Sequence, residues 1–329
     1  MDDYNSLSLA DIYRARKIIS PVITRTPLVF SPRLSMLTGF KVYLKLETLQ
    51  LTGTFKARGA ANKLMSLGNA EKERGVIAFS TGNHGRAVAH IARNLKLPAV
   101  ICLSERVPAF RVKAMRDLGA EVVAYGQSQD EAYAKALEIQ KERGLTMIAP
   151  FDDPFVLCGQ GTMAIEIFEE IPNTKALIVP LSGGGLFSGV ALASKTINPK
   201  VKMIGVSMEV APAMIRSLTA GKPIEIPEVD SLADALLGGI GLDNQYTFSL
   251  TQKYIDKSVL VSEDQIARAM YGAFYHERLV IEGSGAVGLA ALENDLIDLN
   301  IEPNDPVVVI VSGGNVDTRL LQAIIEKNH

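Results

Sequence analysis

The chain has 329 residues, 47% of them hydrophobic and 21% charged, with 27 Gly and 15 Pro; this is apolar material for two modest cores and excludes disordered or fibrous architectures. Its 34 Lys and Arg against 36 Asp and Glu leave a formal net charge of -2, so no overall field draws it to nucleic acid or anionic lipid. The 2 cysteines, Cys102 and Cys158, each lie in or beside an apolar stretch, which suits buried thiols in a reducing cytoplasm and excludes a disulfide framework or a cysteine metal cluster. Residues 1–10 carry acids before any apolar run, and the longest apolar runs, such as Pro306–Val311, have strand length. Neither a targeting segment nor a membrane span is expected.

Short apolar runs alternate with helical patterns, the mark of βα units. Lys41–Leu46 alternates like a strand but has no helix-and-sheet block of its own. A first series of strands is predicted at Val76–Phe79, Ala99–Leu103, Glu121–Ala124 and Thr146–Ala149, with helices starting near Asn83, Pro108 and Asp130. A second comprises Ala176–Leu181, Lys202–Val206, Val259–Val261 and Val307–Val311, with helices after Gly184, Ala211, Glu263, Gly285 and Asp317. The predicted class is α/β, with two open, mainly parallel sheets and helices on both faces. Residues 68–149 form a small inserted domain, and residues 1–67 with 150–329 form a large domain whose sheet Lys41–Leu46 completes. Gly221–Asp230, with Pro223 and Pro227, reads as a surface loop.

Four strings fall at places where chemistry can gather. TGTFKARGA, Thr52–Ala60, sets Lys56 among small and hydroxyl-bearing residues, although an isolated lysine is ordinarily a solvated charge. STGNHGRAVAHIA, Ser80–Ala92, opens a helix whose free N–H groups can hold a carboxylate; Ser80, Thr81 or Asn83 serve equally well as plain caps, and a lone His84 is more often structural. SGGGLFSG, Ser182–Gly189, has three consecutive glycines that let N–H groups converge on an anion at a helix start. A tight packing turn explains the same glycines, and the dinucleotide spacing is absent. SGGNVD, Ser312–Asp317, ends the last strand, and ligands of open parallel sheets bind at the carboxyl ends of strands.

A reactive lysine, a phosphate cradle, a carboxylate cradle and a polar turn are the parts of a pyridoxal phosphate site. From about Ala10 onward the chain resembles the tryptophan-synthase-like, fold type II pyridoxal phosphate enzymes, in the threonine and serine dehydratase branch that includes serine racemase. TFKARGA, SGGGL and SGGNVD stand in that family's order and spacing. The resemblance implies that Lys56 forms the Schiff base with the cofactor, that Phe55 packs by the ring and that Asn83 bonds the ring hydroxyl oxygen. It further implies that Ser182, Gly183, Gly184, Gly185 and Leu186 bind the phosphate, that Ser312 faces the pyridine nitrogen, and that Ser80, Thr81, Gly82 and His84 contact the substrate. Lys56 and Thr81 are the candidate catalytic groups, and Glu282 matches a motif beside the ring for which a structural reading stays equally open. A neutral hydroxyl at Ser312 does not hold the pyridine nitrogen protonated as a carboxylate does, so the electron sink is weaker and β-elimination is favoured. The implied activity is loss of water from a threonine- or serine-like 3-hydroxy amino acid, giving a 2-oxo acid and ammonia. By the same likeness the enzyme is a homodimer or homotetramer.

The chain also departs from the family. Ser207, Ala211 and Ala213 stand where many members carry divalent-cation ligands, so no metal is expected, with Glu209 as the one nearby substitute. Thr81 stands where dehydratases commonly have alanine and the racemase a serine, which keeps an amino acid racemase open as an alternative. STGNHGRAVA is similar to dehydratases of hydroxyectoine utilisation or of bulkier hydroxy amino acids, a second alternative.

Overall fold

Runs rich in Val and Ile make the strands, and the order in which those strands pair decides where the site lies. A computed structural model describes residues 7–80, 82–227 and 229–328. Its strands are β1 (Leu28–Phe30), β2 (Lys41–Leu46), β3 (Val76–Phe79), β4 (Ala99–Leu103), β5 (Glu121–Ala124), β6 (Thr146–Met147), β7 (Ala176–Pro180), β8 (Lys202–Met208), β9 (Lys257–Val261) and β10 (Pro306–Val311). One sheet runs β1-β2-β10-β7-β8-β9 and the other β5-β4-β3-β6. Pairing is parallel throughout except at the edge, where β1 runs antiparallel to β2. β10 reads PVVVIV and is buried at every position, as a strand covered on both faces must be. Lys41–Leu46 pairs with β10 from Pro306 to Val311, so it does join the larger sheet.

The helices are α1 (Leu9–Ile19), α2 (Pro32–Thr38), α3 (Lys56–Met65), α4 (Asn69–Arg74), α5 (Asn83–Leu95), α6 (Ala109–Asp117), α7 (Gln129–Arg143), α8 (Pro154–Glu170), α9 (Gly185–Ile197), α10 (Ala213–Ala220), α11 (Thr247–Tyr254), α12 (Glu263–Gly272), α13 (Gly283–Glu293) and α14 (Thr318–Asn328). Sequence patterning misses α1, α2, α3, α4, α8, α11 and β1. The reason is clearest for α8, which is buried continuously from Val156 to Phe168 and so shows no polar stripe with a period of 3.6. Its start is nonetheless well specified: Asp153 accepts from the N–H groups of Phe155 and Val156 at 2.8 and 3.1 Å, with Pro154 next in the chain. Strand β6 stops at Met147 rather than Ala149, with one more bond to β3 beyond it, from Ile148 N–H to Ile77 O at 2.8 Å. Helix α10 begins at Ala213, after Ala211 takes φ 47°.

α8 packs against α3 at backbone contact, since a Cβ on Gly159 would lie 2.6 Å from Arg58 O. Below that contact lies a cluster of charges. Arg58 donates to Glu47 at 2.8 and 2.9 Å and to Glu166 at 2.6 and 2.9 Å. Lys45 donates to Glu166 at 2.6 Å. All four residues are buried. Desolvation pushes Glu166 up, but Arg58 and Lys45 outweigh it and hold the carboxyl below its ordinary value. Cys102 and Cys158 are both buried and free, and burial raises their thiols to about 11 and about 12. Among the described residues no helix is long and apolar enough to cross a membrane.

Candidate active site

The turn before α3 is tied to the end of β10. Phe55 N–H donates to Ser312 O, and Gly314 N–H to Gly53 O, both at 3.0 Å; Thr54 and Gly313 form an antiparallel bridge. Gly53 makes this turn possible with φ 75°. Lys56 therefore leaves a helix start held on one side by β10 and on the other by Arg58. Its Nζ donates to Pro150 O at 2.6 Å and lies 5.3 Å from the centre of the Phe55 ring. Burial lowers the amine from 10.5 to about 8, because a charged ammonium loses hydration there.

From β3 the chain enters α5 through Ser80 and Gly82. Ser80 N–H bonds Cys102 O at 3.0 Å, and Ser80 Oγ accepts from Gly82 N–H at 3.3 Å. Thr81, given a catalytic and substrate role above, lies outside the described residues. The first-turn N–H groups of Asn83, His84 and Gly85 have no partner within the helix, as at any helix start. The His84 ring turns inward, with Nε2 2.8 Å from Ile148 O; a carbonyl only accepts, so Nε2 carries the proton and Nδ1 a lone pair. Burial first and Lys56 second, against the Ile148 bond, lower His84 to about 3. The imidazole is neutral, and what His84 offers an anionic ligand is its main-chain N–H.

The Asn83 amide is bound on two sides, Nδ2 donating to Glu282 Oε1 at 2.7 Å and Oδ1 accepting from Asn315 Nδ2 at 2.8 Å. Glu282 is buried. That burial, then Asp234, raises it to about 7 against the bonds from Asn83 and the Asn315 N–H. A cavity of about 340 Å³ adjoins Glu282 and Asn315 and is walled further out by Arg111, Asp230, Asp234 and Asp317. Arg111 closes one rim by pairing with Asp234 at 2.6 Å.

Leu181, Ser182, Gly183 and Gly184 join β7 to α9. Gly184 takes φ 87°, and a Cβ on Gly183 or Gly185 would fall 2.4 or 2.8 Å from Phe151, so the loop lies flat against that residue. The N–H groups of Gly185, Leu186 and Phe187 form the first turn of α9 and are available to an anion. Ser182 Oγ donates to Leu236 O at 2.8 Å, which leaves the anion donors here to the main chain. Ser312 is buried, its Oγ 3.4 Å from Ser284 O; that contact is too long to saturate the hydroxyl. Ser207, on β8, is buried with Oγ 3.5 Å from Met208 Sδ.

These residues fit pyridoxal phosphate. A depressed amine stands among an anion cradle, a neutral hydroxyl at a strand end and two buried hydroxyl oxygens, Thr52 Oγ1 and Thr54 Oγ1, that have no hydrogen-bond partner among the described residues. Sequence reasoning missed Pro150, Phe151, Asn315 and Arg86. Arg86 could have been found, standing three residues after Asn83 and hence on the same side of the first turn of α5. The other three are placed by tertiary convergence.

Fold and site together define an α/β enzyme of fold type II, and comparison with known proteins agrees: residues 19–313 match the family of pyridoxal-phosphate dependent enzymes. The chain belongs to that family. It is 42% identical over 321 residues to an L-threonine ammonia-lyase of Thermotoga maritima, covering 98% of this chain and 79% of that protein. Threonine deaminase isoform 2 of Solanum lycopersicum superposes with a TM-score of 0.89 at 37% identity, covering 97% of this chain and 91% of that one. Maize serine racemase superposes with a TM-score of 0.91 at 33% identity, covering 97% of each. Within the family the chain is a lyase of the dehydratase branch.

Proposed function

We propose that the enzyme removes water from a threonine- or serine-like 3-hydroxy amino acid, with Lys56 as both cofactor anchor and base, and that the released enamine tautomerises to an imine which a water hydrolyses to the 2-oxo acid and ammonia. The carrying observation is the buried Lys56 amine itself, 2.6 Å from Pro150 O beside the end of β10 and brought to about 8 by that burial. Bound pyridoxal phosphate supplies the electron sink for the pair left at Cα. The neutral Lys56 amine takes the Cα proton, and the same proton, delivered to the departing β-hydroxyl, makes the step neutral overall. The first-turn N–H groups of α9 hold the phosphate, while Asn83 donates to the ring hydroxyl oxygen and Ser312 gives the pyridine nitrogen a neutral partner. Ser80, Gly82 and the main chain of His84 hold the substrate carboxylate at the positive end of α5.

One observation favours a bulkier substrate as a second reading: the 340 Å³ cavity beyond Glu282, with Asp230 and Asp317 in its wall besides the Arg111–Asp234 pair, has room and carboxylates for a cationic side chain. Reaction with a panel of 3-hydroxy amino acids, with and without a distal amine, separates the two by which one releases 2-oxo acid and ammonia fastest. Conversion of L-serine to D-serine without pyruvate would overturn both. The exposed apolar side chains Phe30, Met36 and Leu37 support a homo-oligomer, and the buried thiols support a cytoplasmic setting.

A further inference from the structure

Asn83 lies inside a hydrogen-bonded chain with a guanidinium at one end and, at the other, a carboxyl group that accepts an N–H at each oxygen. Arg86 Nη1 donates to Asn315 Oδ1 at 2.7 Å. Asn315 Nδ2 donates to Thr52 O at 2.9 Å and to Asn83 Oδ1 at 2.8 Å. Asn83 Nδ2 donates to Glu282 Oε1 at 2.7 Å, and Glu282 Oε2 accepts the Asn315 main-chain N–H at 3.1 Å. Space for these atoms comes from two glycines: a Cβ on Gly53 would lie 2.6 Å from Asn315 Oδ1, and one on Gly313 would lie 2.6 Å from Glu282 Oε1.

The chain has a direction. A guanidinium only donates, so Arg86 fixes the Asn315 oxygen toward itself, and both Asn315 N–H groups then face oxygen atoms. Asn83 must in turn show its oxygen to Asn315 and an N–H to Glu282. Turned over, it would set NH₂ against NH₂ and oxygen against carboxylate. One Asn83 N–H remains uncommitted within the chain, and each bond from the cation onward polarises the next.

We infer that Arg86 and Glu282 are positioning residues, which hold the Asn83 amide in the one orientation that leaves an N–H to donate to the ring hydroxyl oxygen of pyridoxal phosphate. This rests on the reading of Asn83 given above. Arg86 acts only through Asn315 and Asn83, so its removal should be silent once Asn83 is gone.

The test is titration of each cofactor-free variant with pyridoxal phosphate, following the dissociation constant and the visible absorbance band, with thermal melting of the cofactor-free protein as the check on folding. Arg86→Leu should weaken cofactor binding about tenfold, in keeping with the loss of one charge-assisted hydrogen bond, and shift the band in the same direction as Asn83→Ala. Arg86→Lys, keeping a cationic donor, should bind within about twofold of wild type on the same scale. Arg86→Leu combined with Asn83→Ala should bind no worse than Asn83→Ala alone. If Arg86→Leu does not fold, Asn315→Asp, which keeps the arginine contact but reverses the polarity shown to Asn83, should give the band shift. Additive losses in the double variant, or an unshifted band in the folded single variants, overturn the inference. An unchanged band in Asn83→Ala instead overturns the reading of Asn83 itself.

Discussion

Arg58 and Lys56 stand two residues apart on α3, and the charges gathered around them are buried on opposite principles. Around Arg58, two cations meet two carboxylates at hydrogen-bond distance, and Glu166 is held ionised. Around Lys56, burial comes without matching counter-charge: the lysine falls to about 8, His84 to about 3, and Glu282 rises to about 7. In each of these three the largest cause is desolvation, which pushes a group toward its neutral form. The matched cluster fixes the helix. Of the unmatched groups, Lys56 and Glu282 are brought close to neutrality, where proton transfer at neutral pH is possible, while His84 is held as a neutral imidazole. Identical residue types thus give scaffold or chemistry according to whether a partner is supplied.

Removal of the reactive amine should have the largest effect. Lys56→Ala should reduce formation of 2-oxo acid by about 10³-fold or more and abolish the visible cofactor band, checked by product assay and absorbance. Next comes the matched cluster. Arg58→Met leaves Glu47 buried without its cation and Glu166 with Lys45 alone and should cost about 3–5 kcal/mol of stability, measured by urea unfolding of the cofactor-free protein.

Smaller effects sharpen the contrast. Ser312→Asp should retain cofactor but lower elimination by about tenfold, some 1.4 kcal/mol on the barrier, since a carboxylate holds the pyridine nitrogen protonated; steady-state rates with bound cofactor check it. The last concerns pH. Capture of pyridoxal phosphate needs the neutral amine, so its rate in the cofactor-free enzyme should rise with pH and level off above about 8. A solvated lysine would keep the rate climbing to about pH 10.4. Stopped-flow absorbance distinguishes the two curves.

Much of this arrangement is legible in the sequence where local pattern carries it. PVVVIV announces β10 as a doubly covered strand, and the glycines at 183–185 and 313–314 mark turns at strand ends. The charges around Arg58 are not legible in the same way: Glu47 and Glu166 lie far apart along the chain, and Glu166 belongs to a helix whose apolar surround hides its period. The Asn83–Asn315 pair spans 232 residues, and such a contact leaves no local signature. Lys56 itself was recognisable only through the co-occurrence of TFKARGA, SGGGL and SGGNVD, because the displacement of its pKa comes from tertiary burial.

The central claim is that one lysine carries the cofactor. Borohydride reduction of the enzyme loaded with pyridoxal phosphate, followed by peptide mapping, tests it most directly. The account predicts a single pyridoxyl-modified peptide, containing Lys56 within TFKARGA. Modification at another lysine, or none after full loading, would contradict it.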